Sequence, residues 1–543
     1  MTNAHTSNPR PRTWVHLTLL TLLCLLTYFP GLDTHGVTNW QEGQRLIVAR
    51  DMQARADWLV PTVNARPYLA KPPMIYWAQL AVASALGQTV ELWHLRFVVA
   101  LAGLCGVLAT YGAARELLAP DRPSEEERSF AERAALWSGV LLATGILYVR
   151  AARIGELDVL LVPFITVAVW AVARAFRAHR VHGRTNWPAL GVATIAASCA
   201  VLTKDTGLLY VALAAYGGIV LWCASLRSAR LRSLAAALSR THPLLVLGVP
   251  AAARYGWTWL VGQRVGADKA ALLARAELDD NVRFFVAEAP INNLETMLFG
   301  LGLGSALALA ALVVLIRFRP RLTPGGAIVA AWIVLSLIAF SIFGKGVQRY
   351  LTPLWPAWAM LAGWLAAIWC RPRPLRSSPA LWLGATILVL AIAQSFQYGF
   401  LRDRVNAHRS PRDLLAALRA RYDWRGPDRL FSFEYTSPAL DYYAGGFVQV
   451  VGDPRAGATM LAGEAWTLDQ FRTHIVQNPG PTFMIVRDGR IPGIELAPVS
   501  QRLWPARLDA EELVGLPDFR IDNGRTAMRV LRVTPSDRAP TIE

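Results

Sequence analysis

Long apolar runs separated by short charged connections set the plan of this chain. Scanned with a window of about 19 residues, some eleven of them approach or reach the length a helix needs to cross a bilayer. They lie near 14–30, 93–117, 134–150, 157–175, 188–205, 207–224, 243–262, 294–316, 326–344, 351–370 and 380–397. The strict alternation of a membrane β-barrel is absent. The pattern therefore predicts an α-helical polytopic membrane protein. The first run follows Arg10 and Arg12 and leads into Phe29-Pro30-Gly31 rather than a small-residue cleavage site, so it reads as an uncleaved span.

Beyond the last run the pattern changes. Ser410-Pro411-Arg412-Asp413 ahead of LLAALRARY reads as an N-capped helix with proline at its first position. RLFSFEY, GFVQVVGD, TFMIVRDG and AMRVLRV read as short strands, and DQFRTHIVQN as a helix. This divides the chain into a transmembrane domain, 1–397, and an α/β domain, 398–543. The connection 31–92 is long but has few loop signals. Its segments 41–56 and MIYWAQLAVASALG have amphipathic spacing and are expected to lie along the membrane surface, with Trp58, Tyr76 and Trp77 as interfacial anchors.

Composition agrees. Of 543 residues 54% are hydrophobic and 17% charged, against about 25% charged in soluble proteins. The net charge of +17 would suit nucleic acid, but its placement argues for topology. Arg10 and Arg12, then Arg174 to Arg184, Arg227 to Arg240, Arg317 to Arg321 and Arg371 to Arg376 all fall on one side of the membrane. The positive-inside rule makes that side the cytoplasm. An odd number of spans then puts the α/β domain and the loop 31–92 outside. The five cysteines lie in or at the ends of apolar runs and show neither metal-ligand spacing nor a disulfide framework.

The residues with chemical potential concentrate on the outer connections. Asn39 and Glu42 have capping-box spacing, so Glu42 reads both as a helix cap and as a carboxylate kept ionised by the helix dipole. Lys71, in YLAKPP, precedes a helix where a phosphate would meet a cation and free backbone N–H groups; the plainer reading is a lysine reaching for lipid headgroups. Arg150, Arg153, Glu156 and Asp158 crowd between two apolar runs, which reads as a water-filled cavity or as a hydrated turn. Lys204 with Asp205, and Lys345 with Arg349 and Tyr350, place further cations at outer span ends. The charged segment 263–294 reads as an external loop. No metal-ligand cluster is visible, and a divalent ion shared by Glu42 and Asp158 stays open as a cofactor.

In this order the elements resemble a GT-C glycosyltransferase, and more narrowly the bacterial aminoarabinose transferases and protein O-mannosyltransferases. Gln41-Glu42-Gly43, Ala49-Arg50-Asp51-Met52, Asp57-Trp58-Leu59-Val60-Pro61 and Lys71-Pro72-Pro73 are similar to that family's first outer loop. Asp158, LTKDTG around Lys204, Tyr350-Leu351-Thr352-Pro353 and TSPALDYYAGG resemble its later elements. Two positions depart from the pattern: the family's leading aspartate is Gln41 here, and the acid before its Lys-Pro is Ala70.

The resemblance implies sugar transfer from a polyprenyl-phosphate donor to lipid A, a glycan or a protein at the outer face of a bacterial inner membrane. It implies Glu42 and Asp158 as the catalytic carboxylates. Lys71, Lys204, Lys345, Arg349, Tyr350 and Arg45 are implied on the lipid-phosphate side. Two other readings stand beside it: a transporter of lipid-linked sugars, which shares a cationic outer cavity, and a catalytically altered relative, suggested by Gln41.

Overall fold

The computed structural model describes residues 10–38, 40–63, 66–226, 230–266, 289–318, 322–343, 348–370, 379–401, 407–422, 424, 426–452, 465–487, 490–491, 494–495, 508–521 and 526–535. Its first eight helices are α1 (Arg10–Tyr28), α2 (Trp40–Ala54), α3 (Met74–Ala85), α4 (Leu92–Leu117), α5 (Glu125–Ala143), α6 (Ile146–Arg153), α7 (Asp158–His182) and α8 (Trp187–Thr203). Their limits follow from local chemistry. Ser124 and Glu127 form a reciprocal capping box at the start of α5, whose first turn carries three glutamates facing the positive helix end. Asn186 caps α8, with Pro188 in its first turn. Gly183 ends α7 at φ 67°, in the left-handed region that favours glycine.

Helices occupy all eleven expected apolar runs. Among the described residues six are long and apolar enough to cross a membrane, or eight if each of two bent pairs is one span. The pairs are α5 with α6, bent by 60°, and Pro290–Phe299 with Leu303–Phe318, bent by 105°. Thr13–Tyr28, Trp187–Thr203 and Ala380–Phe396 are apolar but shorter. Side chains such as Leu22, Ile195, Val313 and Trp382 are more than half exposed on these helices. Such a ring of bare apolar surface is stable only against hydrocarbon. The chain is a multi-pass helical membrane protein.

The 31–92 connection is folded tightly onto this bundle. α2 clamps the link between α3 and α4: Arg50 Nε donates to the Val90 carbonyl at 2.7 Å, and Gln53 Oε1 accepts from Val90 N at 2.7 Å. β1 (Thr62–Val63) and β2 (Arg66–Pro67) form a small hairpin before α3. Of the three expected interfacial anchors, Trp58 is exposed and Trp77 half-buried, its indole donating to the Trp58 carbonyl at 2.5 Å. Tyr76 is different: it is 1% exposed, because α3 turns it inward toward α2.

The C-terminal part is built on a mixed sheet of β3 (Leu430–Phe433), β4 (Gln449–Val451), β5 (Thr482–Arg487), β8 (Leu508–Glu512), β9 (Phe519–Ile521) and β10 (Thr526–Pro535). Their order is β4-β3-β5-β10-β8, with β9 also on β10; β6 (Arg490–Ile491) and β7 (Ile494–Glu495) pair apart. β3 runs parallel to both neighbours, which demands crossovers, and helices Pro438–Ala444 and Leu468–Gln477 supply them. One face packs Leu414, Leu418 and Leu440 with Phe483; the other packs Phe471 and Ile475 with Phe431 and Met484. Both faces being covered explains why β3 reads LFSF, buried at every position.

Helix Pro438–Ala444 also docks this part on α2 and α4. Tyr443 Oη accepts from Val37 N at 2.9 Å, and Tyr442 Oη accepts from Leu92 N at 3.1 Å, satisfying an N-terminal donor of α4. The Arg50 guanidinium lies 4.1 Å from the centre of the Tyr442 ring. Gly43 is the contact point on α2, where an added Cβ would stand 2.9 Å from the Ala439 nitrogen and 3.0 Å from the Pro438 carbonyl carbon. Backbone cannot yield as a side-chain tip can. Gly43→Val should therefore destabilise by about 1–3 kcal/mol through overpacking, seen as a lower unfolding midpoint in detergent. Gly191→Ala, in open space on α8, should be neutral or stabilising; equal losses in both would remove the steric account.

Candidate active site

Glu42 stands in the first turn of α2 and is 1% exposed. Both its oxygens are taken by Arg96 of α4, with Nε to Oε1 at 2.8 Å and Nη2 to Oε2 at 3.0 Å. Arg96 is itself fully buried. Its remaining N–H groups reach the carbonyls of Leu32 at 2.8 Å, His35 at 2.7 Å and Gly36 at 3.3 Å. All five guanidinium donors thus have acceptors. Glu42, expected to flank a reacting centre with Asp158, is instead committed to a buried bidentate ion pair. Its side chain still packs on the site: an added Cβ at Gly155 would stand 2.9 Å from Glu42 Cγ.

The charges that do converge surround the start of α7. Asp158, 2% exposed, accepts from Lys204 Nζ at 2.6 Å. Lys204 lies just past α8, its ammonium 3.9 Å from the centre of the Tyr350 ring. The 3₁₀ segment Gln348–Leu354 carries Arg349 and Tyr350, and Tyr210 holds it by donating to the Tyr350 carbonyl. From α2, Arg45 donates to the Gly155 carbonyl and, at 3.2 Å, to Gln41 Oε1. Glu156, 7% exposed, faces Arg150 Nη2 at 3.7 Å.

Electrostatics bind these groups into one cluster. Burial pushes the Glu156 carboxyl above its ordinary value and Asp158 adds to the rise, while Arg150, Arg45 and Arg349 oppose it. Burial likewise lowers Lys204, opposed chiefly by Asp158, and lowers Arg45, opposed by Asp158, Tyr76 and Glu156. Arg45, Arg150, Lys204 and Arg349 against Glu156 and Asp158 leave an excess of two positive charges, which suits an anionic ligand.

Of the residues singled out in the sequence, Arg45, Asp158, Lys204, Arg349 and Tyr350 come together here. Lys71 stands on the approach to α3, its Nζ donating to the Ala70 carbonyl at 2.8 Å. Lys345 lies outside the described residues. Among the described residues no group of three or more histidine, cysteine, aspartate or glutamate side chains could hold a metal ion. Glu156 and Arg150, noted beside Asp158 in the sequence, join the cluster as well, and Arg96 was the residue to add. The signal for Arg96 was an arginine three residues inside an apolar run, and such a charge needs a partner.

Removing one partner of a buried pair strands the other charge, at a cost of about 3–5 kcal/mol. Arg96→Met should lower the unfolding midpoint steeply, and Glu42→Met/Arg96→Met should recover part of the loss. A double variant no more stable than Arg96→Met would mean that the pair's charge is not what α2 depends on.

Residues 70–250 match the family described as dolichyl-phosphate-mannose-protein mannosyltransferase. No curated protein matches the sequence. The fold is similar to ArnT from Cupriavidus metallidurans bound to undecaprenyl phosphate, at a TM-score of 0.68 and 19% identity over 96% of this chain and 98% of that one. The apo state of the same protein gives a TM-score of 0.66, with the same identity and coverage. The oligosaccharyltransferase of Archaeoglobus fulgidus in its apo form is more distant, at a TM-score of 0.51 and 13% identity over 88% of this chain and 70% of that one. The chain thus shares the fold of the ArnT structure and, over 70–250, matches the protein mannosyltransferase family in sequence.

Proposed function

We propose that this protein transfers a sugar from a polyprenyl-phosphate-linked donor to an acceptor hydroxyl or amine on a lipid, glycan or protein. The observation that carries this reading is the cluster at the start of α7: two carboxylates among four cations, in a fold shared with a protein crystallised with undecaprenyl phosphate. The six long helices, two bent pairs and three shorter apolar helices support eleven crossings. The basic ends of α7 and of the helix Arg230–Thr241 lie away from the cluster, which supports an outer, periplasmic site in a bacterial inner membrane. The 398–543 part is then a periplasmic domain seated over the loop 31–92.

In the reaction, the acceptor's oxygen or nitrogen attacks the anomeric carbon as the bond to the donor phosphate breaks. Its proton passes to a carboxylate, and polyprenyl phosphate departs. Asp158 and Glu156 are the carboxylates placed for the proton. Lys204, Arg349 and Arg45 offset the charge left on the phosphate, with Tyr350 beneath the Lys204 ammonium. Lys71 adds a cation on the approach. Glu42, held by Arg96, acts as a positioning residue: it fixes the first turn of α2, from which Arg45 reaches Gly155.

Purified protein supplied with a polyprenyl-phosphate sugar and an acceptor should release free polyprenyl phosphate only when the acceptor is present. Movement of the intact donor without its cleavage would instead indicate a transporter. Asp158→Asn should lower the rate by about 10²–10⁴ with membrane insertion intact; full activity would remove Asp158 from the reaction.

Glu156 gives the pH dependence its sign. A raised carboxyl gains its proton at a higher pH than usual, so the rate should fall on the acid side above the ordinary carboxylate range, as the ionised form is lost. In Glu156→Gln that acid limb should shift or vanish in a pH–rate profile. A slower variant with an unmoved limb would assign the titration elsewhere.

A further inference from the structure

The opposite end of α7 holds a second cationic site. Asp158 and His179 are twenty-one positions apart, about 30 Å along a helix. There Phe176, His179, Arg180, Trp222, Arg232 and Ser233 line a cavity of about 440 Å³ between α7 and the helices on either side of 227–229. Arg180 forms its floor. Its two terminal nitrogens donate to the Asp121 carboxylate, and its guanidinium is held 4.8 Å from the Phe176 ring centre and 5.2 Å from that of Trp222. The two rings meet edge to face at 5.5 Å, making an apolar wall.

The polar groups in this cavity are incompletely used. Among the described residues Arg180 Nε and His179 Nδ1 have no hydrogen-bond partner, and both atoms are covered by their neighbours. Arg232 is exposed at the rim, and Arg240 lies close enough to act on His179. Among the described residues no acidic side chain lines the cavity, and the neighbouring Asp121 is already engaged by Arg180. An exposed arginine at the rim, with the Arg180 guanidinium behind it, favours a ligand that supplies oxygens and negative charge. An aromatic wall beside the donors, at the end of a membrane helix, adds a demand for an apolar stem.

We propose that this cavity binds the phosphodiester headgroup of an anionic membrane lipid at the membrane face opposite the Asp158 cluster. The phosphate oxygens meet Arg232, with the Arg180 guanidinium behind it, and the glycerol and first methylenes lie along Trp222 and Phe176. Basic residues that bias topology do so without forming a cavity; here they line one.

The test uses the full-length protein in detergent with phosphatidylglycerol, phosphatidylcholine or inorganic phosphate added. Bound lipid is counted by native mass spectrometry and unfolding is followed thermally. Phosphatidylglycerol should be retained in preference to phosphatidylcholine and should raise the unfolding midpoint. Arg232→Gln, at an exposed position, should weaken its retention about fivefold, and His179→Phe, which fills the cavity, should weaken it further. Equal retention of the two lipids, or unchanged retention in both variants, would overturn the proposal. So would inorganic phosphate reproducing the whole stabilisation, which would make the cavity a site for a free anion.

Discussion

The buried pair of Glu42 and Arg96 is the constraint from which the half of this protein around the loop 31–92 takes its shape. Two full charges without water would each cost several kcal/mol. They are tolerated because the guanidinium is matched donor by donor, two bonds to the carboxylate and three to the carbonyls of 31–38. One side chain thereby fixes the loop after α1, the first turn of α2 and the top of α4. The register of α2 then follows, and with it the placement of Arg45 on the Gly155 carbonyl.

From that register the charged cluster is assembled from pieces far apart in sequence. α2 gives Arg45, the join of α6 and α7 gives Glu156 and Asp158, the end of α8 gives Lys204, and the 3₁₀ segment gives Arg349 and Tyr350. All but Arg45, in the second turn of α2, come from a helix end, where backbone groups already lack partners and charge is best tolerated. Bending α5 and α6 by 60° puts that join among the other helix ends.

Much of this was legible in the sequence, for identifiable reasons. Apolar runs announce membrane helices because lipid leaves few alternatives, and each expected run is helical. Ser410, the DQFRTHIVQN run and the Leu430–Phe433 and Thr482–Arg487 runs marked the tail because capping, helix and strand patterns are local. The stretch TSPALDYYAGG stood out too, and its tyrosines are now seen closing onto Val37 and Leu92. What escaped were pairings across distance. Glu42 showed capping-box spacing with Asn39, yet its partner lies 54 residues away. Tyr76 sat on an amphipathic pattern that suited an interface, but a neighbouring helix covered it. Glu156 was visible beside Asp158, and only burial separates its behaviour from that of a hydrated turn.

The docking of Pro438–Ala444 on α2 bears on how the protein is made. The ribosome completes the loop 31–92 about 350 residues before it reaches Tyr442 and Tyr443. Until then the amides of Val37 and Leu92 lack their phenol partners, and Gly43 faces nothing. The loop 31–92 therefore matures only when the last part of the chain arrives on the same side of the membrane. A chain cut short in translation would keep its helical bundle but leave that loop open, a surface that quality-control proteases could read as unfinished.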